Sequence, residues 1–339
     1  MRQAVMVEPG KIAFHEVPDP EPGPGQVRVR VCRIGVCGSD VHVNHGKHPY
    51  TGYPVVQGHE YSAVVDRLGP GVSGLEPGAK VTSTPQQVCG TCAPCLRGDY
   101  HICDQLRVEG FQAPGCAQDY FVTRAENIVP LPSDFTFEQG ALVEPTAVAV
   151  HAVARAGCLE GRNVVVIGAG PIGNLVAQVA RASGANVLIS DPIAFRLEVA
   201  KQCGIPHTAV AGKEPLKEAV CRAFGSDGFQ VAFECAGVEA AIQELVPAIA
   251  KGGTIVIVGV YPEQARVDLG LVQDRELTLT GSLMYRKPDY ERAVELIAGG
   301  HVQCAPLETA HFDFAEYAQA YAYIDANRDR TMKVFIDLV

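Results

Sequence analysis

Hydrophobic and polar positions change rhythm once along this chain. Residues 26–34 read QVRVRVCRI, with Val27, Val29 and Val31 alternating with polar or basic neighbours. That period of two predicts a half-buried strand. Glycine and proline crowd residues 18–25 and 69–78, marking turns between short strands. From about residue 157 short apolar runs alternate with helical ones. Strands are expected at 163–167, 186–190, 230–233, 254–258 and 276–280, and helices at 172–182 and 194–202 among others. This alternation predicts a parallel, doubly wound sheet. The tail carries helical runs at 290–298 and 314–324 and a last strand at 333–338. The expected fold class is therefore α/β, a β-rich domain joined to a doubly wound one. At 339 residues the chain exceeds the size at which one core usually stops growing, which agrees with two domains.

Composition narrows the function classes. Apolar residues make up 47% and charged residues 19%, so material for a core is ample. The net charge is −10 and no basic run exists, which argues against nucleic acid and anionic membrane as partners. Glu8, Pro9 and Lys11 break any apolar leader, and no stretch reads as a membrane span. The expected location is the cytoplasm. Twelve cysteines in such a chain then read as metal ligands, catalytic thiols or small core residues.

Four of them, Cys89, Cys92, Cys95 and Cys103, follow the spacing C-x2-C-x2-C-x7-C. Short gaps let one loop aim several sulfurs at a point, and four filled positions leave no room for water, so a closed structural zinc site is expected. Four free thiols or an iron–sulfur cluster are the competing readings.

Residues 164–173 place G-x-G-x-x-G, as Gly168, Gly170 and Gly173, between an expected strand and helix. An acidic residue, Asp191, ends the next strand. Spaced glycines alone are weak evidence, but in this setting they predict a dinucleotide site. Gly168 allows the turn, Gly170 the approach of the pyrophosphate, Gly173 the packing of helix on sheet, and the helix N-terminus faces the phosphates. Asp191 would accept from ribose hydroxyls and repel a 2′-phosphate, which favours NAD over NADP, although Arg196 could reach a phosphate. The bland reading is an ordinary βαβ turn with a surface Asp191.

A second donor set is Cys37 with His59 and Glu60. A catalytic zinc takes about three protein ligands and keeps one exchangeable position. Adjacent strand residues point to opposite faces, so His59 and Glu60 can both serve only in a kinked loop, which Gly58 permits. Otherwise Glu144, an acid in an apolar stretch, is the candidate to complete the site. By spacing alone this set is weak, since a lone Cys and His are more often packed or solvated. His45 and His48, in the following loop, are assigned no role.

These motifs together resemble the zinc-containing medium-chain dehydrogenases, in particular the sorbitol (polyol), butanediol and threonine dehydrogenase branches. The resemblance rests on Cys37–His42 (CGSDVH), Gly58-His59-Glu60, the four-cysteine lobe, Leu142–Pro145 (LVEP), the GAGPIG turn and Glu234–Gly237 (ECAG), in the family's order across essentially the whole chain. It implies a GroES-like catalytic domain of residues 1–150 and 286–339, and a Rossmann domain of residues 151–285. It implies catalytic zinc on Cys37, His59 and Glu60 with Glu144 as alternating or water-mediated ligand, a second, structural zinc, and a proton relay through Ser39 and His42. The cofactor site would comprise the three glycines with Pro171, Ile172, Asp191, Arg196, Cys235, Gly237, Val258 and Gly259. Dimers or tetramers are the implied assemblies. Met284 stands where sorbitol dehydrogenases carry a sugar-binding arginine, and this stretch is closer to butanediol-type sequences. The expected reaction is reversible oxidation of a secondary alcohol to a ketone with hydride transfer to NAD, on a polyol or sugar derivative first, a vicinal diol or threonine-like amino alcohol second. Rivals are an NADPH-preferring carbonyl reductase and a non-catalytic NAD-binding sensor.

Overall fold

The computed structural model describes residues 1–339 and divides the chain into two compact units. The first is Met1–Glu144 with Arg286–Val294 and Glu308–Val339; the second is Pro145–Tyr285 with Glu295–Leu307. The expected boundaries of 1–150 plus 286–339 therefore shift, because residues 145–150 and 295–307 belong to the second unit. For 295–307 the tie is visible. Gln178, buried on the helix Pro171–Ala182, accepts from the Gln303 amide at 2.6 Å, and Cys203 Sγ lies 3.8 Å from the Gln303 carbonyl. A buried amide side chain without partners is costly, so this segment stays with the helix that needs it.

The first unit is built on a seven-stranded sheet. Its path runs Glu308–Asp313, Lys333–Asp337, Gln26–Gly35, Glu60–Leu68, Lys80–Ser83 and Ile128–Pro130, and Tyr120–Arg124 also pairs with Gln26–Gly35. Val27, Val29 and Val31 point into the core as their alternation predicts. Each contributes roughly 1.5–3 kcal/mol by leaving water. The alternation does not continue past Val31. Cys32 and Ile34 are also buried, because the register with Glu60–Leu68 slips between Val31 and Arg33. One extra residue in a strand reverses its inward and outward faces beyond that point. Arg28 is buried too, and donates from Nε to Asp66 at 2.6 Å.

The second unit is a six-stranded parallel sheet. Asn163–Ile167 lies inside it, with Asn186–Asp191 and His207–Val210 on one side. Val231–Glu234, Thr254–Ile257 and Thr278–Gly281 follow on the other. The order therefore reverses beside Asn163–Ile167, the place where open α/β sheets receive ligands at the carboxyl ends of their strands. The strand His207–Val210 has no counterpart in the apolar pattern, because HTAV is half polar and only Ala209 is buried. No helix is long and apolar enough to cross a membrane.

Candidate metal and cofactor sites

Cys37, His59 and Glu60 are brought together although the first two stand 22 positions apart. Their ligand atoms lie within 4.8 Å of one another. Cys37 ends an extended segment and caps the helix Gly38–Asn44, whose Asp40 accepts from the Cys37 amide at 3.0 Å. Gly58 has φ +89, and an added Cβ would meet Cys116 Sγ at 2.9 Å, so only glycine fits this turn. The turn sets His59 before the strand Glu60–Leu68, and so relieves the opposition of faces expected for adjacent residues.

Burial alone would lower the pKa of His59, but Asp40, Cys37 and Glu144 outweigh it and hold the imidazole well above its usual value. Nδ1 of His59 is buried without a hydrogen-bond partner, 3.6 Å from Asp40 Oδ1. Glu60 is gripped by Lys333, whose Nζ donates to its two carboxylate oxygens at 2.9 and 2.6 Å. Both residues are fully buried. Glu144 is buried and close enough to act on His59 and Lys333, yet it stands outside the compact set of three. A thiol, an imidazole and a carboxylate in one largely buried cluster suit zinc. A buried ion pair that loses one partner leaves an uncompensated charge. Lys333→Met is therefore expected to cost metal-free protein about 3 kcal/mol, and zinc-loaded protein less, because the cation then faces Glu60. Urea titrations with and without zinc check this; equal losses would sever Glu60 from the metal site.

Ser39 and His42 lie three residues apart on the helix Gly38–Asn44 and so share a face. Ser39 is half-buried and His42 exposed. Cys37 is the N-cap of this helix and Asp40 accepts back from its amide, so Ser39 is not used as a cap.

The four-cysteine row also converges, with ligand atoms within 4.8 Å of one another. Cys103 Sγ lies 3.6 Å from Cys89 Sγ and 3.8 Å from Cys92 Sγ. Four thiolates about 2.3 Å from a tetrahedral zinc stand about 3.8 Å apart, so the pocket has the size of that ion and no disulfide. Amides of Thr91 and Cys92 point at Cys89 Sγ at 3.4 and 3.3 Å. Led by the Thr91 amide, they push the Cys89 thiol down to about 6 and favour a thiolate. The scattered cysteines do not all behave as the core residues expected. Cys32, Cys116, Cys203 and Cys304 are buried, but Cys235 is half-buried and Cys158 and Cys221 are exposed.

In the second unit Gly168 has φ +96 and opens the turn after Asn163–Ile167. A Cβ on Gly170 would meet nothing within 4 Å, whereas one on Gly173 would strike the Gly168 carbonyl at 1.7 Å. Gly170 thus leaves space for a ligand and Gly173 closes helix on loop. Pro171 occupies the first turn of the helix Pro171–Ala182, where its missing N–H costs nothing, and Ile172 follows it. Asp191 ends its strand and accepts from the Ala169 and Ile193 amides, both at 2.8 Å. Arg196 Nη1 lies 3.5 Å from Asp191, so its charge is directed at the carboxylate.

Sequence patterns passed over two groups. Glu234 Oε1 accepts from the Ala236 and Gly237 amides, both at 2.9 Å, while its carbonyl accepts from Val258 and Gly259, both at 2.8 Å. This fully buried glutamate ties Ala236, Gly237, Val258 and Gly259 together beside the Gly168 turn. Its sequence signal was the Glu234–Gly237 stretch, in which the glutamate itself was given no role. The other is Phe111, whose ring lies 4.9 Å from His59 and 4.7 Å from His48. His48 is therefore packed, not solvated, and His45 pairs with Asp325 at 2.8 Å. No spacing rule marks such contacts, since they join loops about fifty residues apart.

Met284 has φ +52, a left-handed conformation uncommon outside glycine.

Family comparisons agree across the chain. Residues 23–133 match the alcohol dehydrogenase GroES-like domain, and residues 171–299 the zinc-binding dehydrogenase domain. The 2-dehydro-3-deoxy-L-galactonate 5-dehydrogenase of Pseudoalteromonas atlantica is 36% identical over 93% of this chain and 92% of that protein. The sorbitol dehydrogenase of Halalkalibacterium halodurans is 34% identical over 92% of each. Among solved structures, a short chain alcohol dehydrogenase (rspB) from Escherichia coli CFT073, complexed with NADH, superposes with a TM-score of 0.93. It is 28% identical, covering 100% of this chain and 99% of that one. The chain belongs to the zinc-containing medium-chain alcohol dehydrogenase family, NAD-linked oxidoreductases that use zinc.

Proposed function

We propose that this enzyme oxidises a secondary alcohol of a polyol or sugar derivative to the ketone, reversibly, passing the hydride to NAD. The observation that carries this reading is the buried convergence of Cys37, His59 and Glu60 in a chain whose other unit builds the glycine turn and Asp191. The named relatives act on a sugar acid and on sorbitol, which supports a substrate of that class.

Cys37, His59 and Glu60 would hold the catalytic zinc, with Glu144 near enough to share the task. When bound, that zinc supplies Lewis acidity to the substrate hydroxyl. NAD, when bound, supplies the hydride acceptor. The chain's own residues do the rest. Asp40 faces Nδ1 of His59 and orients the ring. Lys333 balances Glu60 and limits its reach. Ser39 takes the substrate proton and His42, exposed on the same helix face, delivers it to solvent, with Glu144 as the alternative path. Asp191 accepts from the adenosine ribose hydroxyls, and Arg196 steadies its charge. Cys89, Cys92, Cys95 and Cys103 would hold the second zinc and staple their loop.

A panel of polyols, sugar acids, diols and amino alcohols, read by NADH absorbance with zinc-replete protein, tests the reading. A zinc-loaded enzyme inert to the whole panel would refute it. Asp191→Ala is expected to lower the NAD-over-NADP preference in kcat/KM roughly tenfold, the value of one charge-assisted contact. An unchanged preference would remove Asp191 from cofactor choice.

We further infer a cytoplasmic homo-oligomer, dimer or tetramer. Twelve free thiols suit a reducing compartment. The edge strand Thr278–Gly281 has one open side, and Leu283 just beyond it is exposed, which supports association of like chains. Light scattering of the purified protein reads the subunit number directly.

A further inference from the structure

The loop after the helix Gly38–Asn44 holds an imidazole in a fixed pose near the candidate catalytic metal ligands. His48 stacks on Phe111 with centroids 4.7 Å apart and planes 14° from parallel. The same Phe111, itself buried, lies 4.9 Å from His59. Tyr50 meets His48 edge-on at 6.2 Å. Thr51 Oγ1 sits 2.7 Å from Nδ1 of His48. Gln112, next to Phe111, donates from Nε2 to the Tyr50 carbonyl at 3.2 Å and so clasps the two loops together. One face, one edge and one nitrogen of the ring are thus occupied, and Nε2 remains for a ligand.

The protonation state follows from the surroundings. Burial lowers the pKa of His48, and the neighbouring His42 and His59 lower it further, so the ring is neutral at neutral pH. A neutral ring that accepts the Thr51 hydroxyl proton at Nδ1 presents Nε2–H as a donor; in the other tautomer Nε2 accepts. A substrate hydroxyl can pair with either, and a carboxylate pairs with the donor form. A simple alkyl group pairs with neither, and would desolvate Nε2 without return.

We propose that His48 binds a second oxygen of the substrate through Nε2, so that this site takes polyhydroxy or hydroxy-acid alcohols in preference to simple aliphatic ones. The inference rests on the dehydrogenase reading above and sharpens its substrate class. The ring is preorganised by Phe111, Tyr50 and Thr51, so little freedom is lost when the substrate arrives. His48 and His59 lie 4.7 and 4.9 Å from the Phe111 ring, so their centroids are less than about 10 Å apart, a span that a polyhydroxy chain can bridge.

The test compares kcat/KM for 2-butanol, 2,3-butanediol, sorbitol and gluconate in the zinc-replete, NAD-saturated enzyme and its variants. The wild type should favour oxygen-rich substrates over 2-butanol. His48→Leu should lower that ratio roughly 5- to 10-fold if the partner is a hydroxyl, and roughly 10- to 100-fold for gluconate if it is a carboxylate. His48→Asn, which keeps an N–H donor, should recover part of the loss. Damage to fold or zinc affects all substrates alike and leaves the ratio intact. As a readout apart from turnover, 15N-histidine spectra of the NADH complex should show the His48 Nε2 signal shifting when the polyol is added. An active enzyme whose ratio is unchanged in His48→Leu overturns the proposal. A wild type inert to every substrate overturns the dehydrogenase reading itself, and this inference with it.

Discussion

His59→Ala is expected to abolish NADH production with every substrate while the chain still folds. The loss should exceed the roughly hundred- to thousandfold cost of deleting one electrostatic stabiliser, because a whole Lewis-acid site is at stake. The fold should survive because truncation costs one ring contact, with Phe111, and no hydrogen bond of Nδ1. His59 Nδ1 lacks a hydrogen-bond partner, and Asp40, Cys37 and Glu144 act on the ring alongside its contact with Phe111. Removing it also relieves a buried polar atom that the metal-free chain does not satisfy. Zinc content should fall from two per chain to one, and Cys37→Ala should do the same. Circular dichroism, metal analysis and NADH absorbance on one preparation read all three quantities. Normal turnover in either variant would refute the assignment of the catalytic site.

Cys92→Ser is expected to act in the opposite way, on stability first. The loop from Cys89 to Cys103 buries little; Leu96 is mostly exposed and only Cys103 of the four cysteines is buried. Its helix Ala93–Leu96 is four residues long, too short to persist by itself. A metal held by the four thiolates would therefore be the main source of order for this lobe, and its binding free energy would be folding free energy. Loss of one thiolate should lower Tm on the order of 10 °C and release one zinc, with turnover falling only as far as unfolding does. Scanning calorimetry with zinc analysis decides it. An unchanged Tm would count against a structural zinc, and so would retention of two zinc ions.

Much of the candidate site was legible because its residues recur at short, chemically constrained spacings. The four-cysteine row needs one loop to turn back on itself, and three spaced glycines need one tight turn. Such demands leave marks within about fifteen residues. Contacts that join distant loops leave none. His48 could only be read as a solvated loop residue, since Phe111 is sixty-three positions away. Lys333 gave no sign that it would neutralise Glu60 from the last strand. Glu144 was noticed as an acid in an apolar stretch, and the structure leaves it near His59 without joining the compact set of three.

Local chemistry alone therefore pointed to two stretches of different rhythm, a clustered four-cysteine row, a glycine turn between strand and helix, and the pieces of a candidate metal site. These follow from periodicity, from glycine's freedom at positive φ and from the ligand geometry of zinc, all properties of short segments. Tertiary structure decided what periodicity cannot reach. A strand slip between Val31 and Arg33 breaks the alternation and turns Ile34 into the core that Val27, Val29 and Val31 share. A bond from Gln303 to Gln178 draws residues 295–307 into the second unit. The turn at Gly58 aims His59 and Glu60 at one point. The ring of Phe111 fixes the imidazole that we propose reads the substrate. Each depends on which distant groups share a buried space, where an unpaired charge or amide costs too much to leave unanswered.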